Sequence, residues 1–94
     1  MVPIKKGTPK LVRFNFKLPG ARRVYLAGDF TNWEKGAIMM TGGGRVGEWV
    51  CETEITPGEH QYKFIADGNW YTDPNAAYQT WNNLGSQNSV IKVS

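Results

Sequence analysis

Apolar and polar residues alternate with a period of two along most of this chain, and the alternation predicts short β-strands. In Leu11-Val12-Arg13-Phe14-Asn15-Phe16-Lys17, Val12, Phe14 and Phe16 fall on one face, with Arg13, Asn15 and Lys17 on the other. Pro19-Gly20 ends that run, and residues 23–27 form a second strand closed by Gly28-Asp29. Residues 37–40 predict a short third strand, and Gly42-Gly43-Gly44 a flexible loop. Residues 49–55 alternate again, turning Trp49, Cys51, Thr53 and Ile55 inward. Thr56-Pro57-Gly58-Glu59 turns the chain into a strand over residues 60–66, and Asp67-Gly68 predicts a two-residue hairpin loop returning through residues 69–72. A long polar loop over residues 73–88 precedes a final strand at 89–93, and no segment carries helix-length periodicity. About seven strands divided by turn signals predict an all-β fold, an antiparallel β-sandwich of immunoglobulin-like shape.

The hairpin fixes a register. With Asp67-Gly68 at the tip, Ala66 faces Asn69, Ile65 faces Trp70, Phe64 faces Tyr71 and Lys63 faces Thr72. Lys63, Ile65 and Trp70 then share one surface, with Tyr62, Phe64 and Tyr71 on the core side. Trp70 and Trp33, the latter in Gly28-Asp29-Phe30-Thr31-Asn32-Trp33, both stand beside turn residues, where an indole either packs its loop down or faces a ligand. Rings exposed beside polar groups suit a sugar, which has an apolar face to stack and hydroxyls at its edge. Trp49 is different: mid-strand and in step with Cys51 and Ile55, it belongs to the core. Trp81, in the long loop, is open to both readings, packing that loop or extending a ligand surface.

Ninety-four residues allow one domain, residues 9–94, behind a flexible N-terminal arm at residues 1–8. The single cysteine, Cys51, forbids an internal disulfide, and with no signal-like apolar stretch at Met1-Val2-Pro3-Ile4-Lys5-Lys6 the expected location is cytoplasmic. No apolar run reaches membrane-spanning length, so no membrane partner is expected. The net charge of +3 is uneven: seven basic and no acidic residues lie in residues 1–23, against four basic and eight acidic in the rest. These charges are dispersed and partly alternate with apolar residues, the pattern of a solvated strand face rather than a nucleic-acid arm.

No catalytic set emerges. Glycoside hydrolysis needs two carboxylates flanking one bond, whereas Asp67-Gly68 and Asp73-Pro74 read as turn chemistry and Asp29 follows a strand-ending glycine. His60, in step with Tyr62 and Phe64, reads as a packed strand residue, and no cluster has metal-ligand spacing. Neither an enzyme nor a cofactor-binding or metal-binding protein is expected.

The residues around the two tryptophans carry a family resemblance. Val24-Tyr25-Leu26-Ala27-Gly28-Asp29-Phe30-Thr31-Asn32-Trp33 resembles the opening motif of the glycogen-binding domain in the β subunit of AMP-activated protein kinase. Gly58-Glu59-His60-Gln61-Tyr62-Lys63-Phe64, Asp67-Gly68-Asn69-Trp70 and Asp73-Pro74 resemble its central block, and Leu84-Gly85-Ser86-Gln87-Asn88-Ser89-Val90-Ile91 its closing block. This group, carbohydrate-binding module family 48, also includes the N-terminal domains of isoamylases, pullulanases and branching enzymes. The resemblance implies an early-set immunoglobulin-like sandwich that binds α-1,4-glucans such as glycogen, starch, maltooligosaccharides and cyclodextrin without catalysis. By motif position it implies that Trp33 and Trp70 stack on glucose, Lys63 and Asn88 hydrogen-bond hydroxyls, Leu84 packs on the sugar and Ser86 offers a hydroxyl. It also implies a glucan-processing enzyme or a kinase complex as the partner to be targeted. The pattern departs between Asn75 and Asn83, at Tyr78, Trp81, Asn82 and Asn83. Two other functions fit exposed aromatics: a sandwich that binds a protein instead of sugar, and single-stranded nucleic-acid binding, which the N-terminal placement of the basic residues disfavours.

Overall fold

The computed structural model describes residues 8–94, so the arm expected at residues 1–8 lies, apart from Thr8, outside the described residues. Two antiparallel sheets pack face to face. The first holds β1 (Lys10–Lys17), β5 (Glu48–Ile55) and β4 (Thr41–Gly43), in the order β1-β5-β4. The second runs β3 (Ile38–Met39), β2 (Val24–Gly28), β6 (Gly58–Ala66), β9 (Gln87–Val93) and β8 (Tyr78–Trp81), with β7 (Asn69–Tyr71) added to β6. The alternation read from the sequence sets both inner faces. Phe14 pairs with Cys51 and Phe16 with Trp49 across β1 and β5, while Leu26 pairs with Phe64 across β2 and β6. The sheets meet through aromatic rings: Phe16 stacks on Phe64 with centroids 4.4 Å apart, and Phe14 meets Tyr62 edge-on at 5.0 Å.

Trp49 is in the core as expected, 7 % exposed and packed within the apolar cluster. Cys51, half-buried beside it, has its thiol pushed up to about 11 by burial. A thiol raised in this way stays protonated below that pH, and only the thiolate is nucleophilic. Labelling of the native domain with a thiol-disulfide reagent at pH 8 is therefore expected to be at least tenfold slower than in denaturant; equal rates would show that the thiol is not shielded.

Three expectations require correction. The short strand predicted at 37–40 is present but narrower, β3 at Ile38–Met39, because the chain leaves that sheet at buried Met40, whose N–H donates to the Val24 carbonyl at 2.8 Å, and continues at once into β4 of the other sheet. The glycines expected to form a flexible loop are instead partly strand: Gly42 and Gly43 belong to β4. A side chain at Gly42 (φ 141°) would collide with the Glu48 carbonyl, and one at Gly43 would press on the Trp49 ring, so glycine serves close approach here, not looseness. Finally, the long loop over 73–88 contains β8, an edge strand with Tyr78, Gln79 and Trp81 exposed and so without the apolar alternation that marks the others.

The Asp67-Gly68 hairpin has the predicted register, Ala66 with Asn69, Ile65 with Trp70 and Phe64 with Tyr71, and ends there without the expected Lys63–Thr72 pair. Positive φ at Asp67 (50°) and Gly68 (85°) matches a primed turn. The Asp67 carboxylate accepts the N–H groups of Arg22 and Arg23 at 3.0–3.1 Å, tying the loop before β2 to the hairpin.

Candidate sugar-binding groove

Strand β6 has two edges. β2 runs along one; on the other, β9 pairs with residues 58–62 and β7 with 64–66. Lys63 thus stands where one neighbour ends and the next begins, and here the outer face of the sheet opens into a groove of about 810 Å³. By alternation its side chain points away from Tyr62 and Phe64, as do those of Gln61 and Ile65. Gln61, Lys63 and Trp70 line the groove, and Trp70 is 43 % exposed.

Trp33 reaches the same groove from the loop after β2, opening a single 3-10 turn (Trp33–Gly36) whose Glu34 also lines it. That loop is tightly held. The Thr31 hydroxyl accepts from the Gly28 N–H at 2.9 Å and lies 2.9 Å from the Trp33 carbonyl, and the Asp29 carboxylate accepts from the Gln61 N–H (2.9 Å) and binds His60 Nδ1 (2.8 Å). His60 Nε2 meets the Thr56 carbonyl at 2.7 Å, so the ring, expected to be a packed strand residue, ties its strand to the Asp29 loop. Asn32 and Trp33 both have left-handed backbones (φ 59° and 57°), a conformation that costs a bulky residue about 1–3 kcal/mol and that persists where surroundings impose it.

The third part comes from the connection between β8 and β9. Asn82 donates from Nδ2 to Ser86 Oγ (2.8 Å) and Asn88 Oδ1 (3.1 Å), while its Oδ1 accepts the N–H groups of Leu84 (2.9 Å) and Ser86 (3.1 Å). These bonds fix the turn that presents Leu84, 88 % exposed, beside the groove. Asn88 is only 6 % exposed; its Nδ2 donates to Gln61 Oε1 at 2.9 Å, joining β9 to β6 in an amide relay with Asn82. All six residues singled out by motif, Trp33, Lys63, Trp70, Leu84, Ser86 and Asn88, therefore line one groove. Gln61, Glu34, Asn82 and Asn83 line it too and were not singled out. Gln61 was within reach of the sequence argument, being two residues from Lys63 on the same face; the roles of Asn82 and Asn83 depend on a turn that no spacing rule marks.

Of the carboxylates that the sequence places in loops, only Glu34 lines the groove. Asp29 and Asp67 hold loops as described, and buried Asp73 accepts the Tyr62 hydroxyl (2.7 Å) and the Asn75 N–H (2.9 Å) while its own N–H donates to Ser89 Oγ (2.7 Å). Burial and the adjoining Asp73 carboxylate raise the Tyr62 hydroxyl far above its ordinary value, so it remains a donor. Among the described residues no group of three or more His, Cys, Asp or Glu side chains is placed to hold a metal, and no helix is long and apolar enough to cross a membrane.

The sequence profile of the family described as "Glycogen recognition site of AMP-activated protein kinase" matches residues 11–94. The chain belongs to this family. Among similar proteins, the β-1 subunit of 5'-AMP-activated protein kinase from Sus scrofa is 38 % identical over 74 residues, covering 79 % of this chain and 57 % of that protein. The β-1 subunit from Homo sapiens is 38 % identical over 74 residues, 79 % of this chain and 26 % of the relative. The β-2 subunit from Mus musculus is 31 % identical over 91 residues, 97 % of this chain and 31 % of the relative. The chain thus spans between about a quarter and just over half the length of these relatives. The blocks that carried the resemblance, at residues 24–33, 58–74 and 84–91, fall within the profile match, and each contributes side chains to the groove.

Proposed function

We propose that this domain binds α-1,4-linked glucans such as glycogen, starch, maltooligosaccharides or cyclodextrin without transforming them, and that it brings an attached or associated protein to the polysaccharide. The observation that supports this is convergence: Trp33 from the turn after β2, Trp70 from β7, Lys63 from β6 and a hydrogen-bonded amide relay meet at one open groove. Trp33 and Trp70 stack on the apolar faces of successive glucose units, and because an α-glucan curls, two rings on separate supports follow it better than one flat platform. Lys63 donates to hydroxyls, Ser86 and the Gln61–Asn88 amides complete the polar contacts, and Leu84 packs on the sugar.

Each stacked ring contributes about 1 kcal/mol beyond area burial and each neutral hydrogen bond about 0.5–1.5 kcal/mol. After ordering costs, a single open site of this kind gives a Kd between about 1 μM and 1 mM. Polysaccharide offers many chains, so a domain tethered to a larger assembly gains effective affinity. A kinase complex or a glucan-processing enzyme in the cytoplasm is the partner this reading supplies.

Titration with β-cyclodextrin or maltoheptaose, followed by tryptophan fluorescence with a cellobiose-series control, tests the proposal. Saturable binding of the α-glucans alone is expected. No response up to about 10 mM sugar, well above that affinity range, would overturn it and leave a protein-binding sandwich as the reading to pursue.

A further inference from the structure

Trp81 is the largest apolar feature of the groove that the family motifs leave unused. It lines the same opening as Trp33 and Trp70 and is 70 % exposed, more than Trp70 itself. It packs neither in the core nor against it, unlike Trp49. Its strand, β8, is an edge strand that among the described residues pairs with β9 and with no other strand. The next residue, Asn82, is held by the four side-chain bonds that fix the 82–86 turn, which anchors the backbone just beyond the indole. A large ring left in water on an anchored backbone at the rim of a ligand groove has the properties of a stacking platform prepared in advance.

We infer that Trp81 is a third sugar-stacking ring, and that it makes the site prefer glucans long enough to reach from Trp70 and Lys63 across to β8. In the sheet, β8 lies two strands from β6, a separation of about 10 Å at about 4.8 Å per strand. That span exceeds one pyranose ring, so a short oligosaccharide occupies the Trp33–Trp70 part alone while a longer or cyclic one engages Trp81 as well. The inference rests on the glucan reading above and adds a chain-length preference to it.

The test compares wild type, Trp81→Ala, Trp81→Phe and Trp70→Ala by calorimetric titration with maltotriose, maltoheptaose and β-cyclodextrin. Trp81→Ala is expected to weaken maltoheptaose and β-cyclodextrin binding by at least about fivefold, the value of one stacked ring before the area it covers is added, with maltotriose changed less than twofold. Trp81→Phe is expected to recover most of the loss. Because the side chain is exposed, the thermal midpoint should be unchanged, separating lost contact from lost fold. Equal affinities of wild type and Trp81→Ala for maltoheptaose, with Trp70→Ala defective, would overturn the inference and leave the glucan site standing. A loss shared equally by maltotriose would overturn the length preference. Wild type that binds none of the three sugars would overturn the glucan reading itself.

Discussion

Trp70→Ala is expected to lose about 30-fold in α-glucan affinity while the domain remains folded. The indole has about 100 Å² free to be covered by sugar, judging from its 43 % exposure and the size of a tryptophan. At about 25 cal/mol per Å² that area stabilises the complex by about 2 kcal/mol when most of it is covered, roughly a 30-fold change in Kd. For a ligand already bound weakly, such a loss carries the titration out of range. The fold is spared because Trp70 sits on a three-residue strand at the sheet edge, with its ring on the outer face opposite Phe64 and Tyr71. Calorimetry with β-cyclodextrin, paired with a thermal melt, reads both halves of this expectation. Retained affinity within twofold would remove Trp70 from the site and the proposed function with it.

The largest effect on stability is expected from Phe64→Ala. Phe64 is 0 % exposed, stacks on Phe16 of the opposite sheet at 4.4 Å and lies edge-on to Tyr62 at 5.9 Å. Truncating a buried phenylalanine removes its transfer energy and leaves a cavity, together about 3–5 kcal/mol. A domain of this size has about 5–15 kcal/mol in all, and each kcal/mol moves its midpoint by about 4–8 °C. A fall of about 15–30 °C in Tm is therefore expected, or no folded population at physiological temperature. Denaturant unfolding with a change below 1 kcal/mol would show that the contact between the sheets is carried elsewhere.

Much of this architecture could be read from the chain because alternation and turn chemistry are local. The Val12-Phe14-Phe16 stripe, the inward row of Trp49 and Ile55, and the Asp67-Gly68 register each depend on residues a few positions apart, and each is found, the hairpin one pair shorter than expected. The misses have the opposite character. Glycine in β4 is required by the Glu48 carbonyl and the Trp49 ring, neighbours that only the folded sheet supplies. β8 has no buried face to impose a pattern, so Tyr78-Gln79-Thr80-Trp81 passes for loop. The groove divides along the same line. The motif residues Trp33, Lys63 and Trp70 could be picked out, but the relay from Gln61 through Asn88 to Asn82 spans 27 positions at one step and is visible only once β6 and β9 are paired.

The joint opposite Lys63, where β9 gives way to β7, has a thermodynamic consequence. Side chains contributed from Trp33 to Asn88 meet there only when four strands and the 3-10 turn are assembled, so an unfolded or half-formed chain presents no receptor. Occupancy and folding are consequently linked: a ligand present at a hundred times its Kd deepens the native well by about 2.7 kcal/mol, comparable to restoring a truncated core side chain. A domain resting on dense polysaccharide would thereby be protected from local opening and proteolysis by the surface it recognises, and would lose that protection when the glucan is consumed.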